Sequence, residues 1–162
     1  MNITRSLTLR IGMAAAAMAL AAGSLAAQSS HVLVPADKVQ WAPGPPHLPA
    51  GAQVAVLEGN PKEKGAVTLR LKFPANYSIP PHWHSMAERV TVLSGALNVG
   101  MGDTLDRSTS QRLDVGGFVS LPANMHHFAW TATETVVQIN LEGPFDIFYV
   151  NATDNPQAAA KR

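Results

Sequence analysis

From Ala52 onward the chain is a succession of short apolar runs punctuated by turn residues. The clearest run, 66–73, puts Val67, Leu69, Leu71 and Phe73 on one face and Thr68, Arg70 and Lys72 on the other. That period of two belongs to a strand buried on one side. A run at 52–57 precedes it and ends at Gly59-Asn60-Pro61. Runs at 89–93 and 96–99 flank a Ser94-Gly95 turn, and 118–121 follows Gly116-Gly117. The stretch 126–131 leads into the long run 135–141, and Gly143-Pro144 separates that run from 145–150. Nothing sustains a helical period. Strands recurring about every 8–12 residues predict an all-β sandwich or barrel, placed here at residues 51–152. The end, 153–162, rich in alanine and closing on Lys161-Arg162, reads as a frayed tail.

The first 50 residues follow another pattern. Arg5 and Arg10 precede an uncharged, largely apolar stretch at 11–22, followed by Gly23-Ser24-Leu25-Ala26-Ala27. This is the build of a secretory signal, with Ser24 and Ala26 suited to the −3 and −1 positions. Cleavage is expected after Ala26, or one residue later. A retained membrane anchor is the alternative. Twelve residues span only ~18 Å as a helix, against a hydrocarbon core of ~30 Å. The mature protein is therefore expected to be soluble and exported, periplasmic or secreted. Residues 27–50 include Trp41-Ala42-Pro43-Gly44-Pro45-Pro46-His47-Leu48-Pro49, a composition that resists helix and central strand alike. An ordered arm laid over the domain, anchored by Trp41, is expected in preference to a flexible linker. Such an arm can reach a neighbour's sheet, and a homodimer is expected. His31 and His47 lie in this arm and read as solvated loop residues.

Composition narrows the chemistry. The whole chain carries a formal charge of +1, and without Arg5 and Arg10 ten basic residues face eleven acidic ones, a net of −1. Nucleic acid and anionic membrane are poor partners for such a surface. Cysteine is absent, which excludes disulfides and thiolate-held metal. Any metal must use imidazole and oxygen.

The chain offers such a set. In Pro80-Pro81-His82-Trp83-His84-Ser85-Met86-Ala87-Glu88, two histidines separated by one residue project to the same side of an extended chain, with Trp83 opposite. Glu88 follows His84 by four residues, so a short turn returns its carboxylate to that side. His127 supplies a fourth candidate ligand, delivered by Gly116-Gly117, a short strand and the turn Pro122-Ala123-Asn124. Asn124 suits the left-handed conformation of a tight turn. His126 neighbours His127, so alternation turns it away. Gln138 and Asn140 sit two apart in an apolar strand; they face either inward, supporting the ligands, or solvent.

These two stretches resemble the paired motifs of the cupin superfamily. The first motif has the form G-x5-H-x-H-x3,4-E-x6-G. His82, His84, Glu88 and Gly95 match it, with Asn76 in place of the first glycine. The second has the form G-x5-P-x-G-x2-H-x3-N. Gly116, Pro122 and His127 match it, with Asn124 and Thr131 replacing the inner glycine and the final asparagine. The resemblance covers 76–131 and implies a small jelly-roll β-barrel holding one divalent transition metal on His82, His84, Glu88 and His127.

A ligand set of this kind suits manganese, iron, cobalt, nickel, copper or zinc, and leaves coordination positions open. Val67, Leu69, Phe73, Met86, Val90, Val92 and Phe118 are the expected apolar wall. In cupins such sites serve dioxygenases, decarboxylases, oxalate-degrading enzymes and isomerases; sugar-phosphate isomerisation fits worst, for want of a basic cluster. The expectation is a metal-dependent oxygenase or related oxidoreductase acting on a small organic molecule, with Glu88 both a ligand and a proton acceptor. The alternative is a non-enzymatic module that binds a metal or small ligand. In either case metal should be lost as pH falls through about 6–7, where protons compete for imidazole.

Overall fold

The computed structural model describes residues 31–159; the expected signal at 1–26, with its cleavage site, lies outside them. Among the described residues no helix is long and apolar enough to cross a membrane. Eleven strands follow in order: β1 (Ala42–Pro43), β2 (Gln53–Glu58), β3 (Gly65–Phe73), β4 (Ser78–Trp83), β5 (Glu88–Ser94), β6 (Leu97–Met101), β7 (Gln111–Leu113), β8 (Phe118–Leu121), β9 (His127–Trp130), β10 (Thr135–Gly143) and β11 (Phe148–Tyr149). They form two antiparallel sheets, ordered β1-β2-β3-β10-β5-β8 and β11-β4-β9-β6-β7. This is the sandwich-like jelly roll that the alternation and the cupin resemblance imply.

β10 is the strand around which the first sheet is built. Its Val137, Ile139 and Leu141 lie opposite Leu71, Leu69 and Val67 of β3, and opposite Val92, Val90 and Glu88 of β5 on the other side. The apolar residues of that set are buried in one core, each side chain stabilising by roughly 1.5–3 kcal/mol. The same register puts Glu88 on the inner face beside Leu141. Gln138 and Asn140 take the outer face: Arg70 Nε donates to Gln138 Oε1 at 3.3 Å, and Asn140 Nδ2 donates to Thr68 Oγ1 at 2.9 Å. Neither serves the interior.

From Trp41 onward the arm lies over the domain. β1 pairs with β2, Lys72 Nζ stands 4.4 Å over the Trp41 ring, and Leu48 is buried in the core. Tyr149 donates its hydroxyl to His47 O at 2.7 Å, and the Tyr77 hydroxyl donates to Pro49 O. His47 is therefore not the solvated residue expected. Its ring meets Phe145 edge-on at 5.6 Å, its Nε2 is buried without a partner, and burial pushes its pKa down.

Three other expectations change. The run 145–150 is strand only at β11, because Phe145 N bonds to Pro61 O and Asp146 is engaged by Ser85. The short strand β7 was not expected from pattern. The end read as frayed carries a 3-10 turn at Ala152–Asp154 and a helical turn at Pro156–Ala159, both opened by asparagines whose Oδ1 accepts a backbone N–H two residues on.

Phe128 of β9 is fully buried and lies against Gly100 of β6, where an added Cβ would overlap its ring. Glycine in a strand is normally weaker than alanine. Here Gly100→Ala is expected to destabilise, by about 1–3 kcal/mol as in overpacked cores, measured by urea denaturation.

Candidate metal centre

Two tight turns and one proline-rich strand bring the candidate residues together. Asn76 and Asn124, standing where the motif glycines would be, both adopt positive φ, 58° and 62°. Asparagine pays less for this conformation than other side chains that carry a Cβ. Gly95, the glycine that closes the first motif, has φ 71°, and any Cβ there would strike the carbonyl of Glu134. The two motifs are tied directly, since Asn124 N donates to His84 O at 2.8 Å. Thr131, in place of the usual asparagine, is buried; its Oγ1 accepts from Tyr77 N at 3.3 Å and donates to Pro74 O at 2.9 Å. It thereby braces the Asn76 turn.

Within β4, Pro80 and Pro81 lack a ladder N–H, and pairing with β9 is irregular between Ile79 and His82. His82 then pairs with His127 across the strands. His82, His84 and His127 are each 3% exposed, and their candidate ligand atoms all lie within 4.8 Å of one another. Ring centroids are 4.2 Å apart for His82 and His127, and 5.0 Å for His82 and His84. Glu88 joins from β5, with Oε2 3.6 Å from His84 Nε2 and 3.8 Å from His127 Nε2. His126 turns outward, its Nδ1 2.6 Å from Asp103 Oδ1.

Each inner imidazole is held through its Nδ1. The partners are Pro80 O at 2.7 Å, Asp146 O at 2.5 Å and Met125 O at 2.9 Å, for His82, His84 and His127 respectively. A carbonyl only accepts, so each Nδ1 must carry the hydrogen and each neutral ring keeps its lone pair on Nε2. The His84 Nε2 is buried without a hydrogen-bond partner. An unpartnered buried polar atom costs about 1–3 kcal/mol. Three such lone pairs and a carboxylate gathered in one place fit a divalent metal, with the carbonyls orienting the ligands.

These four residues line an internal cavity of about 40 Å³ whose other walls are apolar. Phe73 and Val90 line it as expected; Val67, Leu69 and Val92 are buried in the core without lining it, and Met86 only packs against the core. Phe118 is 57% exposed and faces out. Its turn sets the opposite phase, so Val119 and Leu121 of β8 face inward, Leu121 across from Glu88. Leu48, Phe145 and Ile147 close the cavity from the arm and from the loop before β11. No period signalled them, because they lie outside the regular strands.

A family model described as the ChrR cupin-like domain matches residues 29–146. The chain belongs to this cupin family. A germin-like protein of Arabidopsis thaliana (subfamily 1 member 1) is 39% identical over 67 residues, 41% of this chain and 31% of that protein. The chain thus spans about a third of that relative. Among solved structures, the polyketide cyclase RemF of Streptomyces resistomycificus superposes with TM-score 0.62 at 16% identity, over 82% of this chain and 94% of the other. A protein assigned provisionally as an acetylacetone dioxygenase of Methylibium petroleiphilum PM1 superposes with TM-score 0.61 at 19% identity, over 82% and 89%. Similarity at these identities shows the shared cupin barrel.

Burial pushes the pKa of His82 well down, helped by the neighbouring His127 and His84. Burial also lowers that of His127, which Glu88 partly opposes. Proton competition at these two rings is therefore shifted down from the ordinary histidine value of about 6.5. Folded pKa values below the unfolded value mean that the unfolded chain binds more protons, so the metal-free protein loses stability as pH falls from about 6.5 towards the lowered values. Thermal melts of metal-free protein between pH 7.5 and 5 should show this loss, and metal occupancy should reach its midpoint below pH 6.5. A metal-release midpoint at or above pH 7 contradicts it.

His127→Ala removes an inward Nε2 and is expected to strip most of the metal, whereas His126→Ala keeps metal near the wild-type ratio. Elemental analysis of the purified variants distinguishes them; equal loss from both overturns the assignment of faces.

Proposed function

We propose that this protein is a metal-dependent cupin enzyme, an oxygenase or related oxidoreductase that acts on a small organic molecule. One observation carries the reading: three Nδ1-anchored imidazoles and Glu88 present lone pairs and charge to a single point inside an otherwise apolar cavity. His82, His84, His127 and Glu88 would hold one divalent transition metal, which supplies Lewis acidity and, where redox-active, electrons.

The chain's own residues do the rest. The carbonyls of Pro80, Asp146 and Met125 keep the rings in one tautomer. The apolar wall excludes water, which strengthens every charge interaction inside. Glu88 Oε2 lies at the edge of the histidine cluster and is the one inner group able to take a proton from a substrate hydroxyl or an acidic C–H. The names of the two fold relatives, a polyketide cyclase and a protein provisionally assigned as an acetylacetone dioxygenase, agree with an oxygen-bearing organic substrate. They lend direction only, because a shared fold does not carry an activity with it.

The second reading is a non-catalytic module that binds a metal or small ligand. It is favoured by the cavity lining, which beyond the four candidate ligands offers no polar side chain to orient a substrate.

Glu88→Gln keeps shape and one carbonyl oxygen but removes the charge and nearly all proton affinity. It is expected to lower turnover at least tenfold more than metal content, while His84→Ala loses both together. The measurement is oxygen consumption with phenol and diketone substrates after loading with iron, copper, manganese or nickel, beside metal analysis of each variant. No turnover with any metal form, while a ligand still binds, replaces the enzyme reading with the binding module.

A further inference from the structure

The metal cavity, at about 40 Å³, has room for little beyond a water-sized ligand. A second, larger space of about 310 Å³ lies beside it, in the cleft between β6 and β7 of one sheet and β8 of the other. A space of that size suits an organic molecule. Val99 and Val119 line both spaces. Strand register fixes how close the cleft comes to the candidate ligands. Met101, on the cleft wall, pairs with His127, and Val119 lies two residues from Leu121, the partner of Glu88.

We propose that this cleft is the organic-ligand site of the metal centre, with Val99 and Val119 as the partition across which the ligand reaches the ligand-bearing residues. The proposal rests on the metal reading above. The walls define the ligand class. Val99, Met101, Val119 and the exposed Phe118 supply apolar and aromatic surface, Gln111 and Thr109 supply an amide and a hydroxyl, and no charged side chain lines the cleft. The Thr109 hydroxyl already donates to Asp106 O at 2.9 Å, which leaves its lone pairs to accept a hydrogen bond. Burying a carboxylate or phosphate beside these walls would leave its charge uncompensated. The cleft therefore takes a neutral, ring-sized molecule bearing hydroxyl or carbonyl oxygen, and disfavours its anionic analogue.

The test uses 2-naphthol and 2-naphthoate as probes, titrated into the purified chain and followed by fluorescence. The expected result is 2-naphthol bound on the order of tenfold or more tighter than 2-naphthoate, the discrimination a site makes against an uncompensated charge. Gln111→Trp, which crowds the cleft from β7 at a residue that does not line the metal cavity, and Phe118→Ala, which removes an exposed wall and leaves the core untouched, should each weaken 2-naphthol binding on the order of tenfold, with metal content unchanged. In manganese-loaded protein the protons of bound 2-naphthol should relax faster than in zinc-loaded protein, which reports proximity to the metal without any turnover. Equal binding of the two probes, or affinity unchanged in both variants, overturns the cleft. Equal relaxation in the two metal forms overturns its connection to the centre. If the wild-type chain retains no metal, the metal reading falls; loss of 2-naphthol binding in the variants then still upholds the cleft, and its persistence overturns it.

Discussion

Three imidazole N–H groups donate to the carbonyls of Pro80, Asp146 and Met125, and the interior of the barrel depends on those bonds. A histidine ring brought into an apolar space needs a partner for each nitrogen or it destabilises the fold. The carbonyls satisfy one nitrogen per ring and, in doing so, choose the tautomer that leaves the other bare. The same contact that makes the ring tolerable in the core makes it a candidate ligand. Burial then lowers the proton affinity of His82 and His127, which keeps those rings neutral at ordinary pH. Structural tolerance and readiness for metal are thus one arrangement.

The strand framework and the four inward residues were legible because both are written as local periods. Alternation in β3 and β10 separates inner from outer residues, and the spacing of His82, His84 and Glu88 survives the irregular register at Pro80 and Pro81. The same rule separates His127 from His126. Where one residue decides the phase, the period misleads. The Gly116-Gly117 turn delivers Phe118 facing outward and Val119 inward, and a four-residue strand is too short to reveal which of two phases it follows. Gln138 and Asn140 took the outer face for a reason that lies in β3, where Arg70 and Thr68 wait for them.

What could not be read from the chain is the closure of the cavity. Leu48 comes from the arm, Phe145 and Ile147 from the loop before β11, and their positions follow from contacts across a great separation in sequence. Tyr149 reaches His47, and Asp146 reaches both His84 and Ser85. A loop histidine in isolation has every reason to be solvated; His47 is covered because Phe145 arrives from the far end of the domain.

The link between His84 and Asp146 also sets an order of events during synthesis. His84 is made more than sixty residues before the carbonyl that orients it, and β10, the middle strand between β3 and β5, is likewise made late. Until residues 135–149 have been added, β3 and β5 have no common neighbour, His84 has no anchor and the barrel has no closed interior. Residues 1–134 therefore carry all four candidate ligands without being able to present them together. A nascent or truncated chain would offer only loose, solvated histidines, and the gathered set of candidate ligands becomes a property of the finished fold alone.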